Sequence, residues 1–198
     1  MRAAERDEPA RDAFRQELTE LNADDLVVVD EMGSNIALTP LYARAPRNER
    51  AYDSVPRNHG KNTTLIGALS LAGIDCAMTL EGAVDTPAFV AFVREVLCPR
   101  LRPGQTVLMD NLSSHQDETI AQLIAACGCQ LRFLPSYSPD FSPIEQAFAK
   151  IKAYLRQVGA RTKEALEAAL TQAIDLITSQ DAHGFFKHCG YPIPAQPS

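Results

Sequence analysis

The chain has 198 residues, of which 45% are hydrophobic, and this length suits one well-packed domain with at most a small appendage. Its formal net charge is −6 and its pI is about 5.2, whereas a self-sufficient DNA-binding domain usually carries a basic excess. These values exclude two full-sized domains and restrict any nucleic-acid contact to a local surface.

The cysteines and the N-terminal segment predict where the protein is found. The five cysteines have no C-x-x-C spacing, which argues against a disulfide framework and against a zinc site. The segment after Met1 has neither the apolar core of a signal peptide nor a transit-peptide composition, and no later run has membrane-spanning length. We expect a soluble, cytoplasmic protein with reduced thiols and no membrane partner.

The first predicted elements are a helix and a buried strand. Residues 9–22 have Phe14, Leu18 and Leu21 at helical spacing, which predicts an amphipathic packing or linker helix. The β-branched run of residues 26–29 predicts a strand buried on both faces, near the centre of a sheet, that ends at Asp30.

The middle of the chain predicts a hairpin, a helix and a second buried strand. Residues 63–71 and 74–80 form two strands joined at Ala72-Gly73. A helix with Thr86 as its cap and Pro87 as its first residue runs to about Leu97. Residues 106–109 form a strand that ends at Asp110.

The C-terminal part is predicted to be mainly helical. Ser114, with Asp117 three residues later, has the capping-box pattern of a helix start, and residues 130–134 form a short strand. After the turn-rich PSYSPDFSP, the pattern predicts helices over 144–157, 162–178 and 180–188. The predicted fold class is α/β, with a mixed central sheet flanked by helices.

Three acids stand out, although each has an ordinary structural interpretation. Asp30 could be a solvated strand end, and Asp110 could form an Asx-turn. Glu145 could close a capping box on Ser142. Their combination is more specific, since two strand-end aspartates are followed by a helical glutamate with 34 residues between Asp110 and Glu145.

The motifs around these acids resemble a known family. They are D-E-M-G at 30–33, M-D-N-L-S-S-H at 109–115 and L-P-S-Y-S-P-D-F-S-P-I-E-Q-A-F at 134–148. Together they resemble the mariner-like DDE transposases of bacterial insertion sequences, from about Asp25 to Tyr191. The resemblance implies a ribonuclease H-like fold, with a linker helix at 1–24, a catalytic domain at 25–191 and a tail at 192–198.

The resemblance also implies a metal site. Asp30 would bridge two magnesium or manganese ions, Asp110 would complete the shell of one ion, and Glu145 that of the other. Hard divalent cations require oxygen ligands, and such a pair can activate water or a 3′-hydroxyl and stabilise the leaving oxygen of a phosphodiester.

Two residues near Asp110 are further candidates. His115 could contact the scissile phosphate or protonate a leaving group, or it could be a surface residue at a helix start. Asn111 could support the metal ligands from behind, or it could only make the turn.

Two basic regions are candidates for DNA binding. Residues 42–62 carry five cations against two acids, a net charge of +3, with interleaved tyrosines, although this could be a solvated loop. The cations are Arg44, Arg47, Arg50, Arg57 and Lys61. At 100° per residue, Lys152 and Arg156 fall within about 20° of Glu145 on its helix, where they could follow phosphates or be ordinary surface charge.

The sequence departs from the resembled family in two respects. Family members usually have Asn where Ser142 stands, and Ser can still cap a helix. They also carry N-terminal helix-turn-helix modules, and the segment before Asp24 is too short to be one, so we expect sequence-specific end binding to be absent.

The leading prediction is the catalytic domain of a metal-dependent, cut-and-paste DNA transposase. Its partners would be element ends and target DNA, and the resemblance implies a TA-dinucleotide target and a homodimer. One alternative is a truncated or split-element product that acts only by binding partner transposase. Another is a ribonuclease H-like nuclease of repair or RNA processing, which the SPDFSPIE string disfavours.

Overall fold

A mixed five-stranded sheet forms the centre of the protein, in the order β3-β2-β1-β4-β5. The computed structural model describes residues 6–112 and 115–193. The strands are β1 (Leu26–Ser34), β2 (Thr63–Ser70), β3 (Gly73–Glu81), β4 (Thr106–Met109) and β5 (Gln130–Phe133). Strand β1 pairs antiparallel with β2 and parallel with β4, so its predicted central position is confirmed.

Helices flank both faces of the sheet, as predicted. They are α1 (Glu8–Leu18), α2 (Thr86–Phe92), α3 (Glu118–Ala126), α4 (Pro143–Val158), α5 (Lys163–Asp175) and α6 (Ser179–His188). A π-helical turn, Val93–Leu97, continues α2. Across the described residues, no helix has both the length and the apolar character needed to cross a bilayer.

Alternation along β1 divides the core in two. Leu26 and Val28 pack with α1, α4, α5 and α6, whereas Val27 and Val29 pack with α2 and α3. Successive side chains of a strand point to opposite faces, so a continuous apolar run can fill both cores. Helix α1 buries Phe14 and Leu18 in the first of these cores.

Aspartates cap both α2 and α3, and the predicted cap of α2 was wrong. Asp85, not Thr86, caps α2 by accepting a hydrogen bond from the Ala88 N–H. Helix α3 begins after Asp117, whose carboxylate accepts from the Thr119 N–H, while the predicted start at Ser114 lies outside the described residues. In both places an aspartate next to the first turn supplies a strong acceptor for an unpaired N–H.

Asp30 was predicted to end its strand, but β1 continues to Ser34. The parallel partner β4 stops opposite Val29, whereas β2 pairs with β1 as far as Ser34. Asp30 therefore lies at the end of the parallel part of the sheet, within a strand that the hairpin prolongs.

Candidate active site and metal centre

Parallel pairing brings the two predicted aspartates together. Val29 is the register partner of Met109, so Asp30 and Asp110 follow at the same edge of adjacent strands. This edge, at the carboxyl ends of parallel strands, is where open α/β sheets usually bind their ligands. Asp110 also accepts a 3.3 Å hydrogen bond from the Leu112 N–H, so its Asx-turn is present as well.

Helix α4 brings the third acid to the same edge. Gly67, the register partner of Asp30, lacks a Cβ, and Phe148 of α4 lies 3.5 Å from where that atom would stand. Ile144, in the first turn of α4, lies 3.8 Å from the same point, so the start of the helix is also seated against the sheet. Asp30, Asp110, Glu145 and Asn111 line one cavity of about 390 Å³.

The capping box expected at the start of α4 is absent. Ser142 occupies the cap position, but its side chain makes no capping hydrogen bond. The Glu145 N–H is instead bonded to the Ser142 carbonyl oxygen at 3.2 Å. Glu145 lines the cavity, and its carboxylate is not engaged in a cap of its own helix.

Asp30 is in an unusual electrostatic environment. Burial raises its pKa to about 7, and the nearby Asp110, Glu31 and Glu145 carboxylates add to the rise. A 2.7 Å hydrogen bond from the Glu31 N–H to Asp30 Oδ1 acts in the opposite direction. The fold therefore holds a carboxylate where its charge is poorly solvated and faces other acids.

The donor set fits a hard divalent cation. Within residues 6–112 and 115–193, no three acids, histidines or cysteines already stand close enough together to form a metal cluster. Three carboxylates nevertheless face one cavity. A cation there would stabilise the ionised form of Asp30, which burial and like charges disfavour.

His115 bridges two acids behind this cavity. Its side chain is fully buried, with Nδ1 2.5 Å from Asp110 Oδ1 and Nε2 3.1 Å from Glu31 Oε2. The Nδ1 contact is an ion pair without hydrogen-bond alignment, and the ring stacks on Phe89 with 4.1 Å between centroids. Burial alone would lower the pKa of His115, but Asp110 and Glu31 outweigh it and raise the pKa to about 9.

This arrangement does not favour the predicted contact between His115 and a scissile phosphate, because both ring nitrogens already face carboxylates. It also brings Glu31, which was not among the predicted site residues, into contact with His115. Successive residues of a strand point to opposite faces of the sheet, so adjacent acids within β1 place one carboxylate on each face. The Asp30-Glu31 pair was therefore the sequence feature that could have indicated an acid on the second face.

The predicted DNA-binding residues lie apart from the acid cavity. Arg44, Arg47, Arg50 and Arg57 are exposed on the connection between β1 and β2. Lys61, at the end of this connection, pairs with Glu81 at 3.3 Å. Lys152 and Arg156 are partly exposed on α4.

Asn111 lines the cavity, and its side-chain oxygen accepts a 2.7 Å hydrogen bond from Gln116 Nε2. That bond holds the amide in one orientation, which suits a supporting role beside Asp110.

Solved structures show the same fold. The Mos1 strand transfer complex matches with a TM-score of 0.69 and 16% identity over 93% of this chain and 56% of that one. The mariner Mos1 paired-end complex with Mg matches with a TM-score of 0.69 and 16% identity, over 91% of this chain and 58% of that one. The Mos1 mariner transposase catalytic domain matches with a TM-score of 0.61 and 14% identity, over 91% of this chain and 83% of that one.

The chain thus spans little more than half the length of the full Mos1 chains that it matches. The shared fold is ribonuclease H-like, as predicted.

Comparison with sequences gives the family. No curated protein sequence matches at a significant level. The sequence profile described as DDE superfamily endonuclease, however, matches residues 25–167, which include Asp30, Asp110 and Glu145. The chain belongs to the DDE superfamily endonuclease family.

Proposed function

We propose that this chain is the catalytic domain of a metal-dependent DNA transposase, which cleaves strands at element ends and joins them to target DNA. The observation that carries the proposal is the meeting of Asp30, Asp110 and Glu145 in one cavity at the sheet edge. Membership of the endonuclease family and a fold shared with Mos1 transposase support it.

Two magnesium or manganese ions, held by the three carboxylates, would activate the attacking water or 3′-hydroxyl and stabilise the leaving oxygen. The structural relatives include Mos1 paired-end complexes with Mg and with Mn. Asp30, whose carboxylate feels the charges of both Asp110 and Glu145, would be the ligand shared by the two ions.

The protein's own residues would position these ligands. The Glu31 N–H holds one oxygen of Asp30, and the buried His115 holds Asp110 from behind. Because the pKa of His115 is raised to about 9, its ring carries a positive charge at neutral pH and balances Asp110 and Glu31. His115 is thus proposed as a positioning residue, with Asn111 in a similar role.

DNA would be held by the basic residues outside the cavity. The exposed arginines of the β1–β2 connection can approach a phosphate backbone without desolvation of buried groups. Lys152 and Arg156 would extend the contact along α4. A TA-dinucleotide target and a homodimer are further parts of the proposal that rest on the family resemblance, and a cytoplasmic location is a part that rests on composition.

A nicking assay tests this function. Supercoiled plasmid and labelled oligonucleotides are incubated with the chain in magnesium or manganese, next to Asp110→Ala and the control Asp175→Ala, which removes an exposed acid at the end of α5. We expect metal-dependent nicking by the wild type and by Asp175→Ala only. Binding of DNA or of a full transposase without any Asp110-dependent nicking would favour the truncated, non-cutting alternative.

A further inference from the structure

Tyr137 has a backbone conformation that a tyrosine rarely adopts. Its φ is +53°, in the left-handed region that favours glycine and asparagine, and a bulky residue there is an outlier. Its side chain is nonetheless 58% exposed. Within residues 6–112 and 115–193, its ring stacks on no other ring and its hydroxyl has no hydrogen-bond partner. Packing in the folded chain therefore does not explain this tyrosine.

The surrounding turn holds the residue in place. This turn comprises residues 134–139. It is anchored by a 2.8 Å hydrogen bond from the Leu134 N–H to the Met109 carbonyl, next to Asp110. Pro135 and Pro139 restrict the backbone at its two ends, and the Ser138 hydroxyl donates to the Ser136 carbonyl at 3.2 Å. Strained residues fixed in this way are concentrated at functional sites.

Tyr137 lines the same cavity as the three acids. Leu112, on the connection that follows Asp110, also lines it and is 47% exposed. The cavity thus combines carboxylates with a flat aromatic side chain and an aliphatic one, all reachable from solvent.

We propose that Tyr137 is a nucleobase-stacking residue that binds an unpaired base next to the phosphodiester in the acid cavity. The inference rests on the proposed action on DNA. A neutral ring suits this position because the adjacent carboxylates repel phosphates, whereas the face of a base carries no charge. Stacking is open to any base, so this subsite would position DNA without reading its sequence.

The base must be unpaired, because a base inside a duplex already has neighbours on both faces. A terminal overhang or a frayed pair beside the cutting point provides such a base. Leu112, on the connection that follows Asp110, would make apolar contact with the same base or with its sugar.

Photo-crosslinking tests the proposal without requiring cleavage. The full chain is incubated in magnesium with a duplex that carries a 3′ overhang and 5-iododeoxyuridine at its first unpaired position. After irradiation, crosslinked peptides are mapped by mass spectrometry, and affinity is measured by fluorescence anisotropy. We expect the crosslink at Tyr137.

Three variants separate stacking from a structural role. Tyr137→Phe keeps the ring and should retain the crosslink and affinity. Tyr137→Asn suits the left-handed backbone but has no ring, so it should fold at least as well, lose the crosslink and bind the overhang about ten-fold more weakly. The control Leu176→Ala removes an exposed apolar side chain at the C-terminal end of α5, which does not line the cavity, and should behave as wild type.

A crosslink that maps elsewhere, or Tyr137→Asn binding as tightly as wild type, would overturn the inference. This failure is distinct from failure of the proposed function. Asp110-dependent nicking without a Tyr137 crosslink removes only the stacking role, and a Tyr137 crosslink without nicking removes only the catalytic one.

Discussion

Arg11 and Asp140 form two parallel charge-assisted hydrogen bonds, Nη1 to Oδ1 at 3.0 Å and Nη2 to Oδ2 at 2.5 Å. The guanidinium is fully buried and also stacks on Phe141, 4.4 Å from the ring centroid. Tyr191 reaches the same segment from the C-terminal side, where its hydroxyl donates to the Phe141 carbonyl at 2.8 Å. Both ends of the described chain therefore hold the turn that leads into the Glu145 helix.

Replacement of Arg11 by methionine should destabilise the protein and misplace Glu145. The change keeps much of the buried volume but leaves Asp140 without its cation, and we expect the free energy of unfolding to fall by about 2 kcal/mol. Urea denaturation measures this fall. Arg15→Met is the matched control, because its exposed pair with Asp12 should contribute less than about 1 kcal/mol. Equal losses in the two variants would contradict the role given to Arg11.

The same pair predicts a pH dependence. The hydrogen bonds from Arg11 hold the pKa of Asp140 below its ordinary value of 3.8. A lowered carboxyl pKa contributes stability that is present above the ordinary pKa and is lost as the pH falls through the folded-state pKa. The stability difference between wild type and Arg11→Met should be constant from pH 7 to about 5 and should shrink below pH 3.8. Urea titrations at several pH values measure this stability difference. A difference that grows on acidification would contradict the predicted pH dependence.

Asp30→Asn should stabilise the metal-free protein while it abolishes nicking. Burial raises the Asp30 pKa from 3.8 to about 7, so its contribution to stability is lost as the pH rises through that window. At pH 8 the variant should be more stable than wild type by on the order of 2–4 kcal/mol, since one pKa unit corresponds to about 1.4 kcal/mol.

Magnesium should reduce the stability difference between Asp30→Asn and wild type, because it binds the ionised wild-type site and not the variant site. Thermal unfolding with and without magnesium gives both quantities, with Asp175→Asn as the control at an exposed acid. A wild-type protein that is more stable than Asp30→Asn at pH 8 without metal would exclude this account.

Much of the site could be predicted from the sequence because its signals are local. The apolar runs before Asp30 and Asp110 indicate buried strands, and the turn-rich segment before Glu145 indicates a new helix. The fold class follows from the same patterns. The continuation of β1 beyond Asp30 could not be predicted in this way, because it depends on pairing with β2 across a long connection.

The bridge from Glu31 through His115 to Asp110 was missed for a related reason. It joins residues 84 positions apart and requires β1 to extend past Asp30, so that Glu31 faces α2 and α3. The absent capping box is the opposite case, a local contact that was predicted but does not form. The Ser-Pro-Ile-Glu pattern at residues 142–145 is typical of a capping box, yet the Ser142 side chain makes no capping hydrogen bond.

His115→Gln should weaken metal binding and nicking without abolishing either. The variant retains a polar side chain but loses the charge that faces Asp110 and Glu31, and loss of such supporting groups typically costs about 10–100-fold in metal affinity or activity. Nicking rates over a magnesium titration should show a higher half-saturating concentration. Glu31→Gln should shift it in the same direction, because His115 would lose one of its two acids. A complete loss of activity at saturating magnesium would point to direct contact between His115 and the DNA.

The basic connection between β1 and β2 should control DNA affinity more than chemistry. Each arginine that neutralises a duplex phosphate contributes about 0.9 to the slope of log affinity against log salt. Joint replacement of Arg44, Arg47, Arg50 and Arg57 by alanine should therefore weaken binding at low salt and flatten this slope by up to about 4. Because these side chains lie outside the acid cavity, the nicking rate at saturating DNA should change little. Arg94→Ala, an exposed arginine after α2, controls for the loss of a single surface charge elsewhere. An unchanged salt slope in the fourfold variant would identify the connection as a solvated loop.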